Sequence, residues 1–329
     1  MWQNNPLNAE VREQQKVVMA SLDNPTAPSA KHYDHPAARK NAKRAFADQL
    51  HQASMTNAEF FRLSELIHAS CGIKLPFVKK TMLEGRLRKR LHALGIDSFT
   101  RYCDYLFSAK GAESEYVHMI DAVTTNKTDF FREPDHFEWL LHKVLPELVD
   151  QHGFGVRKRL QVWSAGCATG EEPYTLAMVL SEFATVCPGF TYSILGTDIS
   201  TVALGKARSG IYGHDRVTPV PMTFRKKYLL KSKEQQQGLV RIAPELRALV
   251  AFERLNLMEE NWDLKDPMGI VFCRNVIIYF DRPTQEKLLS RLAHHLAPGG
   301  YLFMGHSESL HGMHLPLVQE KTTIYRKLP

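Results

Sequence analysis

The segment VWSAGCATGEEPYTLAMVL, residues 162–180, places Gly166 and Gly170 between a β-type apolar run and a helical pattern, and sets Glu171 and Glu172 where that helix begins. A glycine-spaced turn between strand and helix is where doubly wound folds bind nucleotides. A Walker phosphate loop needs Gly-Lys followed by Ser or Thr, and Glu171 stands there instead. A pyrophosphate at the helix start would meet two carboxylates and be repelled. The acids therefore fit one of two roles. Thr169 and Glu172 have capping-box spacing, and a helix dipole favours acid in the first turn; alternatively the acids receive a cationic ligand. Asp198, closing the run ILGTD, is placed to accept both ribose hydroxyls of an adenosine. Adenosine plus a cation suggests S-adenosylmethionine, whose ammonium and sulfonium are both positive.

Two more segments carry chemistry. TTNKTDFFRE holds Asn126, Thr128 and Arg132 as a polar cluster beside Phe130 and Phe131. VFCRNVIIYFD sets Arg274 and Asn275 directly after a strand, where ligand groups gather in parallel sheets, with Tyr279 four residues beyond Asn275. The Tyr279 ring serves either the site or the core.

These residues need a scaffold. From about Asn126 onward strands alternate with helices (RLQVWSA, YSILGTD, TVALGKARSG, GIVFC, TQEKLLSRLAHHL, GYLFMG), an order that implies an α/β, mostly parallel, doubly wound sheet. The tail LPLVQEKTTIYRKLP reads as one strand added at the edge, and residues 213–250 read as an inserted hairpin with a polar turn. Ahead of the sheet, residues 54–124 read as helices, the first opened by the Thr56-x-x-Glu59 capping box and closed by Gly72. In the second helix Leu83, Leu87, Leu91 and Leu94 share an arc, and Lys79, Arg86 and Arg90 form a stripe along its edge. That stripe is either a solvated flank or a docking surface. Residues 1–53 are polar, lack a sustained apolar period and are expected to be a mobile extension.

The formal net charge of +7 suggests an acidic partner, and the basic residues are densest between Lys74 and Arg90, with Glu84 the one acid among them. No apolar run approaches the length of a membrane span and no secretory signal opens the chain, so a cytoplasmic location is expected. The cysteines are scattered without a CxxC pair, and no metal site is expected.

Together TTNKTDFFRE, WSAGCATGEEPY, GTDIS, KARSGIY, ERLNL, CRNVIIYFD and GHSESL resemble the chemotaxis receptor methyltransferases of the CheR type, over about Asn57 to the C-terminus. The resemblance implies a class I methyltransferase fold with an all-helical N-terminal domain (54–124), a catalytic domain (125–329) and a small inserted antiparallel β-subdomain. It implies methyl transfer from S-adenosylmethionine to receptor glutamates, leaving S-adenosylhomocysteine and glutamyl methyl esters. The cofactor contacts it implies are Asn126, Thr128, Arg132, Glu172, Asp198, Asn256, Leu257, Arg274 and Asn275. It associates Arg132, Arg274 and Tyr279 with the reacting centre, and the basic second helix (Lys79, Arg86, Arg90) with the acidic receptor bundle. The expected protein is a monomer. The inserted turn KSKEQQQG has glycine only at Gly238, which departs from relatives that tether to a receptor's C-terminal peptide. The rivals are a nucleic-acid methyltransferase, whose Pro-Pro-aromatic and Pro-Cys marks are missing, and a catalytically silent receptor-binding module.

Overall fold

A computed structural model describes residues 53–232 and 238–328. The expected N-terminal extension, apart from residue 53, and residues 233–237 of the inserted turn lie outside the described residues.

The chain enters on α1 (Asn57–Cys71), where Thr56 and Glu59 form the reciprocal capping box and Gly72, in the left-handed region at φ 73°, ends the helix. Its buried face is Phe60, Leu63, Ile67 and Cys71. A 3-10 turn (Phe77–Lys79) leads into α2 (Lys80–Leu94), which buries Leu83, Leu87 and Leu91 and stops at Gly95. Leu94, expected on the same arc, is only half-buried. Three short helices follow, α3 (Phe99–Leu106), α4 (Ala109–Ser114) and α5 (Tyr116–Val123).

The sheet is built from β1 (Leu160–Ala165), β2 (Tyr192–Asp198), β6 (Val250–Arg254), β7 (Met268–Cys273), β8 (Leu296–Met304), β9 (Leu317–Lys321) and β10 (Ile324–Lys327), in the order β6-β2-β1-β7-β8-β10-β9. The five strands β6 to β8 in that order are parallel, and β10 is antiparallel to both neighbours. Strand β7, MGIVFC, is buried at every residue, as a central parallel strand covered on both faces must be. The tail is two strands rather than the one expected: Thr323, at φ 60°, turns the chain so that β10 lies between β8 and the edge strand β9.

The insertion is more than a hairpin. Strands β3 (Ile211–Gly213), β4 (Leu229–Lys231) and β5 (Leu239–Ile242) form a separate antiparallel sheet in the order β3-β5-β4, with a helix, Met222–Tyr228, between β3 and β4. The strand order reverses between β1 and β7, so the crevice beyond their C-terminal ends is the topological switch point.

The helical and sheet regions are tied by side chains. Asp121, in α5, accepts hydrogen bonds from Ser200 Oγ (2.8 Å), Thr201 Oγ1 (2.6 Å) and Val202 N (3.4 Å) at the start of the helix Thr201–Ser209. A carboxylate at a helix N-terminus satisfies free amides and meets the positive end of the dipole. Asn256 Nδ2 donates to Ser70 O (2.6 Å), and Lys74 N donates to Tyr279 O (2.9 Å).

Candidate functional site

A cleft of about 260 Å³ opens at the switch point, walled by the sheet region on one side and by α1, α2 and their connection on the other. Asn126, Thr128, Arg132, Glu172, Asp198, Asn256, Leu257, Arg274, Asn275 and Tyr279 all line it, as do Lys79 and Arg86; Arg90 does not.

The loop Gly166–Gly170 folds as it does because three of its residues take positive φ: Gly166 (78°), Ala168 (49°) and Gly170 (95°). A Cβ on Gly166 would stand 2.5 Å from Val276 Cγ2, and one on Gly170 2.8 Å from Ala207 Cβ. Glycine is needed at both for space as well as for φ. The turn at Ala168 aims its N–H at Asp198 Oδ2 (2.8 Å), while Ser200 N donates to Asp198 Oδ1 (2.8 Å). Asp198 is 8 % exposed; burial raises its carboxyl above the usual range, and these amides work against that rise. A carboxylate oxygen with an amide partner can still accept from a hydroxyl donor.

The two acids at the helix start have separate fates. In the helix Glu171–Val186 the N-cap is Gly170 with no side-chain cap, so the capping box expected from Thr169 and Glu172 does not form. Thr169 Oγ1 donates instead to Glu171 Oε2 (2.6 Å), and Arg216 Nη2 reaches Glu171 Oε1 at 2.8 Å, tying the inserted region to the loop. Glu172 turns toward the cleft, accepting from Ser164 Oγ (2.7 Å) and from Arg274 Nε (2.7 Å).

Arg274 is buried, with 2 % of its side chain exposed. Besides Glu172 it donates through Nη1 to Arg132 O (2.7 Å), His136 Nδ1 (3.1 Å) and Glu133 Oε2 (3.3 Å). An arginine cannot accept, so His136 Nδ1 is the acceptor and its Nε2–H donates to Thr323 Oγ1 (3.0 Å). Burial, and then the Arg274 charge, lower the His136 pKa to about 4, which keeps the ring neutral. The donor atoms of Glu133, His136 and His306 approach within 4.8 Å of one another, the spacing of a metal set, yet both His136 nitrogens are already engaged.

Two residues of the basic stripe also make internal ties. Arg90 makes a two-pronged ion pair with the buried Glu115 (2.8 and 2.7 Å), which also accepts from Tyr102 OH (3.1 Å). Arg86 donates to the carbonyls of Val123 and Thr124 and to Thr125 Oγ1 (2.8 Å). Both are spent holding α5 and the connection after it. Exposed charge remains at Lys74, Lys79 and Lys89. Asn256 is similarly tied: its side chain donates to Ser70 O and accepts from Met258 N.

Sequence reasoning did not single out Asp121, Glu133, Ser164, His136 or Glu308. The segments holding Glu133, Ser164 and Glu308 were among the motifs quoted, but single residues gave no sign that Glu133 meets Arg274 at a separation of 141 positions, or that Glu308 accepts from Asn275 N at a separation of 33.

Residues 126–326 match the CheR methyltransferase SAM-binding domain, and residues 58–124 match the CheR methyltransferase all-alpha domain. The chain is 38% identical to the chemotaxis protein methyltransferase of Klebsiella aerogenes over 292 residues, which covers 88% of this chain and 96% of that one. It is 37% identical to the chemotaxis protein methyltransferases of Borreliella burgdorferi (79% of this chain, 90% of that one) and Escherichia coli (83% and 91%).

Proposed function

The chain belongs to the CheR methyltransferase family, with S-adenosylmethionine as its cofactor, and from that premise we propose that it methylates glutamate side chains of chemoreceptor signalling helices, giving glutamyl methyl esters. The observation that carries the reading is that Glu172 and Asp198 line the same cleft as Arg132, Arg274 and Tyr279.

The cleft fits the cofactor: close packing of Gly166 on Val276 and of Gly170 on Ala207 holds the 166–170 loop at the cleft, where Asp198 and Glu172 present carboxylates to its hydroxyls and ammonium. When bound, S-adenosylmethionine supplies an electrophilic methyl group. A glutamate carboxylate is ionised at neutral pH, so no strong base is required of the protein. Its work is alignment and exclusion of water. Asp198 holds the ribose, Glu172 the methionyl ammonium, Asn126 and Thr128 the polar side wall, and Asn256, Leu257 and Asn275 complete the contacts. Arg132 and Tyr279 orient the incoming carboxylate. Arg274, being buried among carboxylates, acts chiefly by fixing Glu172 and the Arg132 backbone.

On this reading residues 54–124 dock the receptor, with Lys74 and Lys79 at the cleft facing its acidic side, and the enzyme works in the cytoplasm as a monomer. No described helix is long and apolar enough to cross a membrane. Strand addition of a receptor peptide to the small sheet is not part of the proposal.

The test is incubation of receptor signalling fragment with methyl-labelled cofactor. Label on the receptor that mild base releases as methanol supports an ester. Base-stable label, label on nucleic acid, or no transfer overturns the reading.

A further inference from the structure

The Gly305–Glu308 turn after β8 has no role in the cofactor or substrate contacts, yet Glu308 accepts three hydrogen bonds from the loop that carries Arg274, Asn275 and Tyr279. Glu308 N donates to Gly305 O (2.9 Å), closing a four-residue turn. The Glu308 side chain, 4 % exposed, then folds back: Oε2 accepts from Gly305 N (2.7 Å) and Asn275 N (2.9 Å), and Oε1 from Val276 N (2.9 Å) and Ile277 N (3.0 Å). All four bonds come from backbone amides, three of them consecutive in the chain just beyond β7.

The contact is also close-fitting. A Cβ at Gly305 would lie 2.5 Å from Asn275 Nδ2 and 2.9 Å from Asn275 N. Asn275 itself sits at φ 60°, in the left-handed region that asparagine tolerates better than most L-residues. Burial pushes the Glu308 carboxyl upward while the four amides oppose it.

We propose that Glu308 is a positioning residue for the methyl-transfer site: its carboxylate fixes the Asn275–Ile277 backbone, with Gly305 giving the clearance, and so sets where Asn275 and Tyr279 stand in the cleft. The inference rests on the methyltransferase reading. A carboxylate suits the task because it accepts on both oxygens and donates on neither. An amide of the same shape would turn one NH2 against two backbone N–H groups, whichever way it pointed.

The test compares purified full-length parent, Glu308→Gln, Glu308→Asp, Gly305→Ala and a core control, Leu292→Ala, whose buried side chain belongs to the same apolar cluster as Ile277 but takes no part in the Glu308 hydrogen bonds. Each is followed by thermal melting, by calorimetric titration with S-adenosylhomocysteine, and by turnover with receptor fragment. Glu308→Gln is expected to bind S-adenosylhomocysteine about tenfold more weakly and to lose about 100-fold in kcat at saturating cofactor, because small misplacement of reacting groups costs that much. Gly305→Ala should follow it, and Glu308→Asp should recover part of the loss. Leu292→Ala should lower Tm while keeping kcat and affinity for the folded fraction. Parental affinity and kcat in folded Glu308→Gln, or losses in step with Tm as in Leu292→Ala, overturn the proposal. Should the parent bind S-adenosylhomocysteine but leave receptor unmethylated, the substrate assignment fails, and the affinity series still decides the clamp.

Discussion

The two walls of the cleft carry opposite charge in different ways. On the sheet side, Glu172 and Asp198 are nearly buried and each oxygen already has a partner, so their positions are fixed before any ligand arrives. On the helical side, Lys74 and Lys79 are exposed, while Arg86 and Arg90 are spent on internal ties. Fixed, desolvated charge suits recognition of one small ligand in one pose. Exposed lysines on flexible stems suit steering of a large acidic partner, where long-range attraction matters more than placement. On the proposed reading the exposed lysines face the partner and the buried acids face the cofactor.

The largest effect should come from the sheet wall. Arg274→Met leaves Glu172 and Glu133 buried without their cation, and removing one member of such a pair costs about 3–5 kcal/mol. Turnover should fall by about 100-fold or more and Tm should drop, read by methyl transfer and thermal melting. Glu172→Gln is milder: cofactor affinity should weaken about tenfold by calorimetry while the fold persists, since a charge-assisted bond is replaced by a neutral one. An unchanged affinity would return Glu172 to a purely structural role.

The helical wall gives the contrasting result. Reversing Lys74 and Lys79 to Glu should slow receptor methylation about tenfold at low ionic strength, less in high salt, and leave cofactor affinity intact. Arg90→Glu should instead lower Tm, because it unpairs the buried Glu115. If Arg90→Glu spares Tm and selectively slows methylation, the stripe is a docking face after all.

The smallest effect is one of pH. His136 has a folded pKa of about 4 against an ordinary value of 6.5, so between those limits the unfolded chain binds the extra proton. Its contribution to stability is complete above pH 6.5 and is lost as pH falls toward 4, at no more than about 1.4 kcal/mol per pH unit. His136→Gln should flatten that part of the stability profile, measured by denaturant titration.

The parallel sheet, the glycine loop and Asp198 were legible because each is written in a contiguous run: β-type segment, glycine spacing, acid at a strand end. The split between Glu171 and Glu172 was not, since neighbours on a helix diverge by about 100° and only the surrounding fold decides which faces the cleft. Thr169 and Glu172 had the spacing of a cap, yet Gly170 took the N-cap and freed Glu172 for Arg274, 102 residues away. The partner of Arg90 was hidden for the same reason: helical periodicity placed Arg90 on an edge but was blind to Glu115, 25 residues on. The tail's second strand was hidden by the two threonines of its turn, which carry no glycine signal although Thr323 takes φ 60°.

The most direct measurement is calorimetric titration of the full-length protein with S-adenosylmethionine, repeated on Asp198→Ala with melting curves to confirm that the variant is folded. The account predicts saturable one-to-one binding by the parent and a loss of about tenfold or more in the variant, as two charge-assisted hydroxyl contacts disappear. No binding by the parent at millimolar ligand, or equal affinity in the folded variant, would contradict it.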